Sequence, residues 1–146
     1  MELPSAKYIK LDVDKCAGCS TCEAVCSLSH EGVISPQFSR LIIIDYYLEG
    51  HRIKGYICRQ CPNPECLRVC PTKALHVDEK TRAVVISPEE CNGCKLCIEA
   101  CPQYPNTPIR YDADRKVCLK CDLCGGNPLC VKFCPEGALS LLKKGV

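Results

Sequence analysis

Residues 91–102 read "CNGCKLCIEACP", a spacing of C-x2-C-x2-C-x3-C-P. The two-residue gaps put three thiolates on one loop. The three-residue gap puts the fourth about one helical turn further on, pointing away from the first three. A proline directly after it cannot sit in a helix interior. Three related stretches lie elsewhere: "CAGCSTCEAVC" (16–26), "CRQCPNPECLRVCP" (58–71) and "CDLCGGNPLCVKFCP" (121–135). In chain order these are motifs I, II, III (91–102) and IV. Motif I repeats the spacing of motif III but has Ser27 where the proline would stand. That departure leaves its local turn open. In motifs II and IV the second gap lengthens to four and five residues. The motifs use sixteen of the 17 cysteines and leave Cys118 over.

Cysteine is about 12% of the 146 residues, a density that marks either a disulfide scaffold or a metal protein. The opening "MELPSAKYIKLDVDKC" has no apolar signal core, no twin-arginine pair and no small-residue cleavage site. The longest purely aliphatic run is "LIII" (41–44), far too short to cross a bilayer. The expectation is a cytoplasmic protein without direct membrane insertion, where dense cysteine means metal. Zinc would want two pairs of ligands, so the third and fourth cysteines of each motif would be surplus. The C-x2-C-x2-C-x3-C-P run is that of bacterial ferredoxins, which hold [4Fe–4S] clusters. With two Phe and no Trp, the chain has little to bury, and clusters bound through thiolates would act as staples.

The flanks show how the motifs pair. Motif II continues as "CPTKALHV" and motif IV as "CPEGALSL"; motif III is entered by "AVVISPEECNGC" and motif I by "YIKLDVDKCAGC". Motifs II and IV are therefore first halves, and I and III second halves. Residues 58–102 make one complete two-cluster unit, with a hairpin in "ALHVDEKTRAVVI" (74–86) turning at "DEKT". Motif IV must then pair with motif I across the chain ends. The expected fold class is α+β: two bacterial-ferredoxin-like units, one inserted into the other, with an extra β-hairpin over 40–57 turning at "EG". The outer unit takes residues 1–50 plus 110–146, with the hairpin at its junction, and the inner unit 51–109. In such pairs the fourth cysteine of a motif ligates the other cluster. That rule gives four ligand sets: Cys16, Cys19, Cys22 and Cys134; Cys26, Cys121, Cys124 and Cys130; Cys58, Cys61, Cys66 and Cys101; Cys70, Cys91, Cys94 and Cys97.

The order of four motifs resembles the four-cluster iron–sulfur subunits of molybdenum and tungsten pterin oxidoreductases, formate-type hydrogenases and carbon monoxide dehydrogenases. Within them, "CSLSHEGVISPQFSR" (26–40) is most similar to the small subunits paired with tungsten aldehyde oxidoreductase-type chains, including the tungsten-dependent benzoyl-coenzyme A reductase. The resemblance implies four [4Fe–4S] clusters acting as a wire. The partners it implies are a large tungsten or molybdenum pterin catalytic subunit and a further flavin or iron–sulfur electron-transfer subunit. The setting it implies is anaerobic metabolism.

No phosphate-binding glycine loop and no nucleophile–base pair is present in the sequence. The chain is expected to be non-catalytic by itself. Two other readings stay open: a free-standing polyferredoxin, and a structural module with clusters only as staples. The formal charge of +2 falls to about −6 once four clusters of net charge −2 are bound, which argues against nucleic acid as a partner. His30, His51 and His76 replace no motif cysteine, although His30 could hydrogen-bond near a cluster. Lys15, Arg59, Arg68, Lys73, Lys95, Lys120 and Lys132 stand beside the cysteines, and each reads as a solvated side chain. Arg59, Arg68 and Lys73 around motif II, against Glu89, Glu90 and Glu99 around motif III, give the Cys58 centre the higher expected potential. Cys118 reads as a small apolar residue closing a strand over 109–117, within reach of motif IV.

Overall fold

Every motif runs from a loop into a helix, and the residue after its fourth cysteine decides the helix length. A computed structural model describes residues 7–143, so the terminal stretches 1–6 and 144–146 of the expected outer unit lie outside the described residues. The elements in chain order are β1 (Lys7–Leu11), α1 (Thr21–Glu31), β2 (Leu41–Tyr46), β3 (Arg52–Ile57), α2 (Glu65–Val69), β4 (Leu75–Val77), β5 (Val84–Ile86), α3 (Leu96–Ala100), β6 (Arg110–Asp112), β7 (Val117–Leu119), α4 (Leu129–Phe133) and β8 (Leu139–Lys143).

Helices α2, α3 and α4 have five residues each and stop at Cys70, Cys101 and Cys134, whose ψ angles are 112°, 131° and 115°. Each of these cysteines precedes a proline, which excludes the helical ψ from the residue before it. Helix α1 has no such proline. It runs eleven residues, straight through Cys26 and Ser27, and ends at Gly32 with φ 74°. The Ser27 hydroxyl is absorbed internally, donating to the Ala24 carbonyl at 3.2 Å and accepting the Ser35 N–H at 3.1 Å. The turn left open at Ser27 is thus absent.

The strands form four antiparallel pairs: β1 with β8, β2 with β3, β4 with β5 and β6 with β7. The β4–β5 pair aligns Leu75 with Ile86, and the β1–β8 pair aligns Leu11 with Leu139. At the same place in each, the chain entering a motif is tied back: Ser87 N–H to the Ala74 carbonyl, and Asp12 N–H to the Ala138 carbonyl, both at 2.8 Å. Helix α2 packs on α3 and α1 on α4. Elements of motif II therefore meet those of motif III, and elements of motif IV meet those of motif I across the chain ends. One apolar core holds Ile9, Leu41, Leu123 and Leu139 with Cys22, Cys26 and Cys130. A second holds Leu75, Val84 and Ile109 with Cys97 and Cys118.

The hairpins at 74–86 and 40–57 form as expected; Asp78 closes the first by accepting the Thr81 N–H at 2.8 Å. Residues 109–117 do not make one strand. They bend back as β6 and β7, because the Asp112 carboxylate accepts the N–H groups of Asp114 and Arg115 at 3.0 and 3.2 Å. Cys118 is thereby in the middle of β7, opposite Tyr111, not at the end of a strand. Among the described residues there are two extra hairpins in place of one, linking motif I to II and III to IV. No helix among the described residues is long and apolar enough to cross a membrane.

Candidate metal centres

In all four motifs the residue before the second cysteine is left-handed: Gly18 (φ 70°), Gln60 (47°), Gly93 (72°) and Leu123 (57°). This twist curls each loop so that its thiols converge. A non-glycine residue in that conformation costs roughly 1–2 kcal/mol. Gln60 and Leu123 offset it by burial, each with only 1% of its surface exposed.

Cys16, Cys19, Cys22 and Cys134 line one pocket, and Cys58, Cys61, Cys66 and Cys101 line another. Each pocket draws three thiols from one motif and the fourth from its pairing partner. Cys130 and Cys26 share the first core, Cys121 packs against it, and Cys124 and Cys26 both act to raise the Cys130 thiol. Cys70, Cys91 and Cys97 share the second core with Cys118. Cys94 stands exposed, its N–H donating to the Asn92 side chain at 3.2 Å.

Backbone amides point at sulfur. Arg40 donates to the Cys26 Sγ at 3.3 Å, Ala138 to Cys134 at 3.3 Å, Cys118 to Cys91 at 3.4 Å and Leu123 to Cys121 at 3.5 Å. Such donors favour the anionic thiolate and tune whatever metal it binds. Burial works the other way in the metal-free chain. It pushes Cys22 and Cys130 up to about 12 and Cys66 up to about 11, and it raises Cys121. These thiols keep their protons at neutral pH until a metal displaces them, so metal affinity falls with falling pH. At Cys19 the Thr21 hydroxyl, 3.3 Å away, lowers the thiol instead. Cys97 and Cys118 face each other, and that proximity holds Cys97 protonated and lowers Cys118.

Two charged groups take places that the sequence did not assign. His30 Nε2 donates to Asp122 at 3.0 Å and Nδ1 to the Cys26 carbonyl at 2.8 Å. The Asp122 hydrogen bond raises the imidazole to about 10, and Asp122 itself, despite its burial, is lowered to about 2 by His30. His30, Asp122 and Cys124 have ligand atoms within 4.8 Å of one another, but an imidazolium does not ligate. This is a half-buried ion pair beside two thiols, as proximity to motif I allowed. His51 faces Asp45 at 3.6 Å, and His76 lies 3.4 Å from the Ser87 hydroxyl.

Lys120 overturns its reading as a solvated side chain: it is 4% exposed, while Lys15, Arg59, Arg68, Lys73, Lys95 and Lys132 are exposed. Like them, it stands beside a cysteine in the sequence. Only the meeting of motif II with motif IV encloses it. Gln60 did carry a signal, since motifs I and III place glycine at the equivalent turn.

The family described as "4Fe-4S dicluster domain" matches residues 51–144, and "4Fe-4S binding domain" matches residues 13–29. The chain belongs to the 4Fe-4S dicluster family. It binds multiple [4Fe–4S] clusters, the one-electron centres of iron–sulfur electron transfer. It is 44% identical over 108 residues to the "Aliphatic sulfonate oxidoreductase, polyferredoxin-like subunit" of Pyrococcus furiosus, covering 73% of this chain and 61% of that one. To electron transport protein HydN of Escherichia coli K12 it is 32% identical over 134 residues, 80% of this chain and 74% of HydN. To a tetrathionate reductase subunit of Archaeoglobus fulgidus it is 35% identical over 116 residues, 77% of this chain and 53% of that one. The chain thus spans from about half to three quarters of these relatives. Among solved structures, the active-site complex BamBC of benzoyl coenzyme A reductase with benzoyl-CoA superposes with a TM-score of 0.54 at 27% identity, covering 96% of this chain and 81% of that one.

The residues fit the cluster: thiols gather in sets, amides aim at sulfur, and the cores are built partly of cysteine. Bound clusters supply one-electron centres.

Proposed function

We propose that the chain is a four-cluster wire serving a tungsten or molybdenum pterin catalytic subunit and a further flavin or iron–sulfur electron-transfer subunit. One ferredoxin-like unit is inserted in the other, and the four ligand sets are those read from the motifs. The observation that carries this reading is the gathering of three thiols from one motif with a fourth from its partner, as in Cys16, Cys19, Cys22 with Cys134. Use of Cys121 and Cys124 as the leading pair of motif IV is supported by Leu123, which repeats the left-handed turn of Gly18, Gln60 and Gly93. The chain does no chemistry on a substrate by itself; the partner does. The pterin partner is supported by the similarity to the benzoyl coenzyme A reductase complex, which the stretch 26–40 also pointed to. A cytoplasmic location fits the same reading, since clusters held by so many thiolates suit a reducing compartment.

Anaerobic affinity purification followed by metal analysis tests the assignment. About sixteen irons per chain are expected, four per cluster, with tungsten or molybdenum in the co-purifying protein. Recovery of this chain alone, fully loaded and without either metal, would favour the free polyferredoxin.

A further inference from the structure

The seam between the two halves holds a lysine. Lys120 Nζ donates to the Val84 carbonyl at 2.5 Å and reaches the Cys121 carbonyl at 3.5 Å. Val84 belongs to the core around motifs II and III, while Cys121 opens motif IV. The same side chain lines the pocket formed by Cys58, Cys61, Cys66 and Cys101. Gln60 crosses the seam in the opposite sense. Its Nε2 donates to the Cys121 carbonyl at 3.2 Å, and its Oε1 accepts the Val84 N–H at 2.9 Å. Both side chains are buried.

We infer that Lys120 is the positioning and potential-setting residue of the electron step between the two halves, holding a buried cation between the centre at Cys58/Cys61/Cys66/Cys101 and the centre at Cys26/Cys121/Cys124/Cys130. This rests on the four-cluster reading above. Reduction of a cluster adds one electron and no proton, so it adds one negative charge. A cation beside two clusters, in a medium of low dielectric, favours that change at both. Among the described residues, no hydrogen bond of Lys120 reaches the other two sets, around Cys16 and around Cys91. The exposed arginines beside motif II are screened by solvent, so the enclosed lysine outweighs them.

The test is a redox titration of the anaerobic protein with a low-potential chemical reductant, followed by paramagnetic resonance and paired with iron analysis. Lys120→Met keeps the length and removes the charge. Iron content should hold at about sixteen per chain. Two of the four potentials should fall by at least tenfold in the reduction equilibrium, about 59 mV for one electron, while the other two hold. Lys120→Arg should restore both. Four unchanged potentials with full iron overturn the inference, as does a uniform shift of all four. If Lys120→Met loses iron, Lys120→Gln, which retains a donor for the two carbonyls, carries the measurement; iron loss in both leaves only a structural pin and also overturns it. A native chain with far fewer than sixteen irons would instead defeat the four-cluster reading itself.

Discussion

The half built on motifs II and III closes within one continuous stretch, 58–102, whereas the half built on IV and I closes only when the chain ends meet. The distant closure carries the larger contacts. Strands β1 and β8 pair over five positions, β4 and β5 over three. Helix α1 has eleven residues against five in α3. Loop-closure entropy grows by only about 0.6 kcal/mol per doubling of loop length, so two more paired strand positions and a longer helix suffice to offset it. The long helix also carries Glu31, which pairs with Arg40 at 3.1 Å and with Arg115 of the β6–β7 turn at 2.6 Å. The omission of one proline, at Ser27, thus gives the distant half an extra attachment.

The halves also differ where their hairpins meet the motif loops. A Cβ on Gly18 would lie 3.0 Å from the Asp45 side chain in β2; a Cβ on Gly93 would lie 2.6 Å from the Lys116 backbone carbonyl beside β7. Three residues before the leading cysteine, the first hairpin has Gly55, pressed against Leu11, and the second has Cys118, against Cys91 and Cys97. The same framework leaves room for a thiol in one half and for nothing in the other.

The largest expected effect tests whether that thiol can rescue a lost ligand. Cys118 is 3% exposed and its N–H donates to the Cys91 Sγ of the other half, so it is not expected to replace a ligand of motif IV. Cys124→Ser should lose one whole cluster, about four of sixteen irons, and Cys61→Ser in the other half should lose the same. Iron retained in Cys124→Ser but lost in the Cys118→Ser/Cys124→Ser double variant would show that Cys118 steps in.

A middle-sized effect separates the two glycine turns. Both alanine variants pay for a left-handed residue, roughly 1–2 kcal/mol. Gly18→Ala can relieve its contact by moving a side chain. Gly93→Ala meets backbone and should cost about 2 kcal/mol more. Anaerobic thermal unfolding would rank them; equal melting temperatures would remove this difference between the halves.

The smallest effect is at Cys118 itself. Cys118→Ser should keep about sixteen irons and cost about 1 kcal/mol. A loss of four irons would make Cys118 a ligand and shift the register of motif IV.

The cysteine spacing and its flanks determined the four motifs, their pairing order, the hairpins at 40–57 and 74–86 and the type of cofactor. These are local facts: a gap of two or three residues, a proline, a polar turn. The break of 109–117 into two strands was also written locally, in the Asp112 turn, but a run of β-forming residues on both sides hid it. The sequence left open whether Ser27 turns the chain, because the answer depends on what receives a longer helix. It held nothing to separate Lys120 from six other basic residues beside cysteines. Burial belongs to no residue alone: Lys120 is enclosed because motif IV folds back on motif II, more than fifty residues away. Only the tertiary structure brings those segments together and buries Lys120 against the thiols of motif II.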